Sequence, residues 1–334
     1  MKSSLCLFVL SLALFLKASL SVAQAVPVNP KASKEAKQLL SLLYKTRGER
    51  ILSGQHNYPH ELSVYSDSVV TITGKRPALW GSDFSYKPEA VPHRQKIIDE
   101  VIRMHEQGHI ITLMYHQVRP QDSEPNGWKE SIQNEVTKEE WIDLLTSGTK
   151  IHQQWLEKID TVAYFLKQLQ DRQIPVLWRP YHEMNGEWFW WGGKESFAKL
   201  WVMLYDRYVH HHQLNNLLWV WNANAPTDST MAYADYFPGS SYVDVLAADV
   251  YHNDYRQSHH DELLELAEGK PIALGECGTA PTPAILSQQP QWAWFMIWTH
   301  FLWTHNRPED IIKLYDDPRV MTLNEVGSLN VPNR

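Results

Sequence analysis

Cysteine is nearly absent: the 334 residues hold two. Cys6 lies in an N-terminal apolar run that reads as a cleaved leader, so the processed chain keeps Cys277 alone and has no internal disulfide. The fold must then hold by its core, which a chain of this length can do without covalent staples. Also missing is any Asn-x-Ser/Thr acceptor for N-glycosylation. No dense basic block occurs, and 31 Lys and Arg against 38 Asp and Glu give a formal charge of -7. That balance argues against nucleic acid or an anionic membrane surface as partner. After the leader no apolar run approaches transmembrane length. The glycine-rich turn of a dinucleotide-binding fold is missing after the first strand-like run. No internal repeat, low-complexity tract or linker announces a second module.

What is present begins with Met1-Lys2, an apolar run from Leu5 to Leu16, and Ala23-Gln24-Ala25. A positive tip, a short apolar core and a small-x-small exit are the marks of a secretory signal peptide, and the run is too short to anchor comfortably in a bilayer. The expectation is a signal peptide over residues 1–25 and a secreted, extracellular or periplasmic, chain over 26–334. That length is near the upper limit of a single core, which favours one domain; without another apolar stretch of transmembrane length the processed chain is expected to be soluble, and it is expected to be a monomer.

Eight apolar runs of strand length recur, ending near His56, Phe84, Gln117, Glu183, Asn224, His252, Gly278 and Phe301. Runs without polar alternation are covered on both faces, as in parallel sheets. Amphipathic stretches lie between them at 93–107, 137–170, 195–213 and 258–268. The alternation predicts an α/β fold, a (β/α)8 TIM barrel in one domain, rather than an open doubly wound sheet.

Chemistry in such barrels sits at the carboxyl ends of the strands. His56, Asp83, His116, Glu183, Asn224, Asp249, Tyr251 and Glu276 all fall at or near run ends. The stretch RPYHEMNGEWFWW, residues 179–191, sets Glu183 beside His182 and four aromatic rings. Aromatic faces grip the apolar faces of sugar rings, and a carboxyl in apolar surroundings holds its proton more tightly. A second carboxylate, Glu276 in ALGECG, closes the seventh run, and a buried strand seldom ends in a bare charge without a task. Two carboxylates across a cleft are the equipment for glycosidic hydrolysis, one protonated to assist the leaving oxygen and one ionised to attack the anomeric carbon. The aromatic surroundings mark Glu183 as the acid. Glu276, with Arg179 or Tyr251 as the expected hydrogen-bond donor, is the nucleophile.

Trp190 and Trp191 are expected in the barrel wall, since fifteen tryptophans cannot all line one cleft. Cys277, next to Glu276, should point the other way along its strand and serve as core filler. The His210-His211-His212 run reads as a solvated helix end, because consecutive residues point in different directions. Histidines scattered singly over strand ends do not make a metal site, and no metal or cofactor is expected.

WRPYHEMNGEWFWWG, LGECG and the preceding DVY resemble the retaining β-glycanases of glycoside hydrolase family 26, mostly endo-β-1,4-mannanases. The resemblance runs over nearly the whole chain after the leader. It implies Glu183 as acid/base and Glu276 as nucleophile. It also implies His182 near the 2-hydroxyl of the sugar being cleaved, Tyr251 as the phenol bonded to the nucleophile, and Trp188 and Trp298 as aromatic platforms. His116 matches the histidine ending the third run, and Arg179 and Asp249 play supporting parts. The implied substrate is a β-mannan-type polysaccharide. Relatives that cut β-1,3-xylan or mixed-linkage β-glucan, or that release mannobiose from chain ends, leave the glycan open, as does a barrel that binds carbohydrate without cleaving it. The loops around Trp128 and Tyr255 are placed at the outer subsites.

Overall fold

The computed structural model describes residues 25–227 and 231–329. The expected signal peptide lies outside them except for Ala25. Eight parallel strands form a closed ring: β1 (Ile51–His56), β2 (Leu79–Asp83), β3 (Ile110–Tyr115), β4 (Val176–Pro180), β5 (Leu217–Asn224), β6 (Val245–Val250), β7 (Ile272–Cys277) and β8 (Trp294–Ile297). Each pairs with the next, and β1 pairs with both β8 and β2, which closes the barrel. A two-residue strand, β9 (Val320–Met321), adds to β1 in parallel. The expected (β/α)8 barrel is the fold.

Nearly every strand residue is buried, which is why the runs lack polar alternation. At the amino ends of the strands, Leu52, Leu79, Leu177, Leu218 and Val245 join one apolar cluster with Leu39, Leu40 and Leu43 of helix Lys34–Thr46. That helix seals the end away from the polar residues. Outside the ring, helix Lys150–Asp171 starts at Thr149, whose side chain accepts from the His152 amide. It buries Trp155, Ile159, Val162, Leu166 and Leu169 at helical spacing.

The amphipathic stretch 137–170 is two helices, Lys138–Leu144 and Lys150–Asp171. Gly148, with φ of 90°, and the Thr149 cap break it between them. Several strands stop short of their apolar runs because the chain leaves the sheet to form the mouth. β4 ends at Pro180, and Tyr181 and Glu183 take φ of 47° and 53°. Among the described residues no helix is long and apolar enough to cross a membrane.

Candidate active site

The carboxyl ends of the strands surround a cleft of about 740 Å³, lined among others by His116, His182, Glu183, Trp188, Tyr251, Glu276 and Trp298. Strand alternation carries Arg179 of β4 into the barrel, where it is buried. Its Nη2 donates to Glu276 Oε1 at 2.7 Å and its Nη1 to Asn222 Oδ1 at 2.5 Å. The Tyr251 hydroxyl donates to the other Glu276 oxygen at 2.5 Å. Glu276 therefore has both oxygens engaged by donors, one of them cationic. Arg179 and Tyr251 were alternatives from sequence; in the structure both serve.

Glu183 stands in the opposite condition. It is buried, and its resolved side-chain hydrogen bond comes from Trp188 Nε1 to Oε2 at 2.6 Å. Burial and the nearby Glu276 charge push its pKa up to about 8, against the opposing pull of the Trp188 bond. The two carboxyl groups thus differ as an acid and a base must. They stand three strands apart round the ring, on β7 and just past the end of β4. One oxygen each from Glu183, Asp249 and Glu276 lies within 4.8 Å of the others.

Asp249 at the end of β6 is fully buried, with Arg179 Nη1 at 3.6 Å. Burial, then the Glu276 charge, holds its carboxyl well above the usual range. The cation among these carboxylates is Arg179. Gly275 makes the crowding possible, since a Cβ there would lie 1.7 Å from Asn222 Oδ1 and 2.8 Å from Asp249 Oδ1.

His116 is fixed by Asp83, which accepts from its backbone amide at 3.0 Å and meets Nδ1 at 2.9 Å. His182 packs edge-on against it with ring centroids 4.6 Å apart. Burial, then His116 and Arg179, drives the His182 pKa down, so the ring is neutral. Trp298 leaves β8 with its amide donating to Cys277 O, and its ring stacks on His56 at 4.3 Å.

His116, His182, Glu183, Trp188, Asp249, Tyr251, Glu276 and Trp298 line this mouth, and Arg179 lies buried beneath it. Trp190 and Trp191 sit in the wall as expected, donating to the carbonyls of Gln117 and His182. Cys277 is buried away from the cleft, near Met296 O. His210 and His211 are exposed, and His212 meets Asp160. Trp188, expected as a sugar platform, lines the cleft and donates its indole N–H to the acid. Tyr255 does not line the cleft; its hydroxyl donates to Thr279 O at 2.5 Å. Sequence reasoning missed Asn222, which holds Arg179, and Phe189, which lines the cleft. The period of two along β5 places Asn222 on the same face as Asn224, and was the available signal for it.

Paired buried carboxylates at the mouth of a (β/α)8 barrel define the class of site found in glycoside hydrolases. The model of glycosyl hydrolase family 26 matches residues 28–325, and the chain belongs to that family. It is 35% identical over 314 residues to a mannan endo-1,4-beta-mannosidase of Thermothelomyces thermophilus, covering 89% of this chain and 62% of that protein. A mannan endo-1,4-beta-mannosidase of Bacillus subtilis is 28% identical, with 94% of each covered. The chain spans about half to three fifths of the first curated relatives it matches. Among solved structures, GH26A from Muricauda sp. is 47% identical with a TM-score of 0.86, covering 89% of this chain and 99% of that one. A beta-mannanase from a symbiotic protist of the termite Reticulitermes speratus, complexed with gluco-manno-oligosaccharide, is 28% identical with a TM-score of 0.81, covering 90% and 97%.

Proposed function

We propose that this chain is a retaining endo-β-1,4-mannanase that hydrolyses mannan or glucomannan by double displacement. The observation that carries the reading is the unequal carboxyl pair: Glu276 held by Arg179 and Tyr251, and Glu183 keeping its proton to about pH 8. Their approach within 4.8 Å fits the roughly 5–5.5 Å spacing of retaining enzymes and not the roughly 6.5–9.5 Å that admits a water for inversion.

In the first step the Glu183 carboxylic acid gives its proton to the glycosidic oxygen while Glu276 attacks the anomeric carbon, and the leaving sugar departs. In the second, the Glu183 carboxylate takes a proton from water, which displaces Glu276 from the glycosyl-enzyme. Two inversions restore the starting configuration. Trp298 is the platform for the sugar being cleaved, and His182 and His116 meet its hydroxyls. Mannan is favoured over other β-glycans because the relatives compared above are named as mannanases. Export as a monomer after loss of residues 1–25 belongs to the same proposal, supported by the leader-like order of that segment.

On an aryl β-mannoside with a good leaving group, Glu276→Ala is nearly inactive while Glu183→Ala keeps more activity, since departure without acid help still needs the nucleophile. Equal losses would contradict the assigned roles. An inverted first product by proton NMR would exclude retention, and faster release from β-1,3-xylan or mixed-linkage glucan than from mannan would move the substrate.

A further inference from the structure

Tyr181 is the first residue past β4, and it is buried at a left-handed φ of 47°. A residue with a side chain keeps that backbone only where its surroundings fix it. Here the hydroxyl is held from two sides. The indole Nε1 of Trp155, on helix Lys150–Asp171, donates to the Tyr181 oxygen at 2.7 Å. An indole N–H can only donate, so the phenol's own proton is left for Gln117 Oε1, also at 2.7 Å. Trp155 and Gln117 are buried as well, and none of the three lines the cleft.

Gln117 lies two residues past the end of β3, the strand that pairs with β4, and it meets the acid's segment twice. Its side chain takes the Tyr181 hydroxyl, and its backbone carbonyl accepts from Trp190 Nε1 at 2.7 Å. The stretch 181–190 is thus pinned at both ends to one residue of the neighbouring strand end. Glu183 and its indole donor Trp188 lie between the pins. The Tyr181 ring closes the loop from within, edge-on to Trp190 at 5.8 Å and tilted against Trp191 at 5.7 Å.

We infer that Tyr181 is a positioning residue for the acid: its hydroxyl, bonded to Gln117 and Trp155, holds the segment that aims Glu183 at the glycosidic oxygen. This deepens the hydrolase reading above and rests on it. Without the hydroxyl, a buried indole N–H and an amide oxygen lose their partner, which is unfavourable unless the turn moves to replace it. A shift of about 1 Å at a reacting group can slow turnover by on the order of 100-fold. A substrate whose leaving group departs unaided does not feel the loss, because its first step does not need the acid.

The test is Tyr181→Phe, which keeps the ring, assayed on a mannan oligosaccharide and on an aryl β-mannoside with a good leaving group. On the oligosaccharide kcat falls by about tenfold or more with a much smaller change in KM, and on the aryl mannoside kcat changes by less than about twofold. Tyr208→Phe is the control for a merely structural phenol: Tyr208 is buried and its hydroxyl donates to Ile159 O on the same helix at 2.8 Å. It lowers kcat on neither substrate. In Tyr181→Phe with native circular dichroism, equal losses on the two substrates, a larger loss on the aryl mannoside, or no loss on either overturn the assignment, as does the same substrate-dependent loss in Tyr208→Phe. If Tyr181→Phe does not fold, Gln117→Met, which keeps the backbone carbonyl for Trp190, carries the same comparison. If the wild-type protein cleaves neither substrate, the hydrolase reading fails, and amide hydrogen exchange over residues 181–191 decides on the pinning. Faster exchange there in the variant supports it, and unchanged exchange overturns it.

Discussion

Glu183 is placed where three influences meet: a buried site, the charge of Glu276, and the indole N–H of Trp188. The first two hold its proton on and the third favours its release. A general acid works only while protonated, so kcat/KM on mannan oligosaccharides should fall as pH rises through about 8. Trp188→Phe keeps an aromatic ring but removes the donor to the ionised carboxylate, so this basic limb should move to higher pH. A limb that stays put or moves down would show that the indole does not tune the acid. Gly186 fits the same arrangement, since a Cβ there would lie 2.2 Å from the Trp188 ring.

The turn after β4 sets the acid's position. Glu183 holds a left-handed φ of 53°, a strained conformation for a residue with a side chain that persists only when its surroundings fix it. Its amide donates to Asn222 O at 2.7 Å. Asn185, two residues on, donates to the carbonyls of Asn224 and Met231 and accepts from the Asn224 amide, each at 2.8 Å. Asn185→Ala removes three bonds from a buried site. It should cost about 1–3 kcal/mol of stability and lower kcat more than it raises KM, because the acid loses its position while the platforms remain. Wild-type kcat with lowered thermal stability would confine Asn185 to folding. In β7, Gly275→Ala forces a methyl against Asn222 and Asp249 and should destabilise by about 1–3 kcal/mol through overpacking. Thermal unfolding followed by circular dichroism checks it.

At the scale of the molecule, stability comes from a closed ring of buried strands and its coat of helices, with no disulfide among the described residues. Cys277 sits in β7, fully buried, and burial pushes its thiol up to about 12. In protein beginning at residue 26, an aromatic disulfide reagent should leave this thiol unlabelled in the native state and label it at the rate of unfolding. A reducing agent should leave Tm unchanged. Rapid labelling of native protein would mean that the β7–β8 seam opens locally, next to the nucleophile.

The sequence by itself determined the strand count, the parallel barrel and the two glutamates. Continuous apolar runs read directly as strands buried on both faces, and a barrel's chemistry sits at their ends. It also determined that Trp190 and Trp191 belong to the wall, since so many tryptophans must mostly pack. The break at Gly148 was less legible, because an amphipathic pattern continues across a capped interruption. Only the tertiary structure decided which donors reach Glu276, that Trp188 bonds the acid, and that Asn222 holds Arg179. These contacts join strands far apart in sequence. Periodicity reports which face of a strand a residue takes, whereas side-chain partners across a barrel depend on register and loop path, which no local pattern carries.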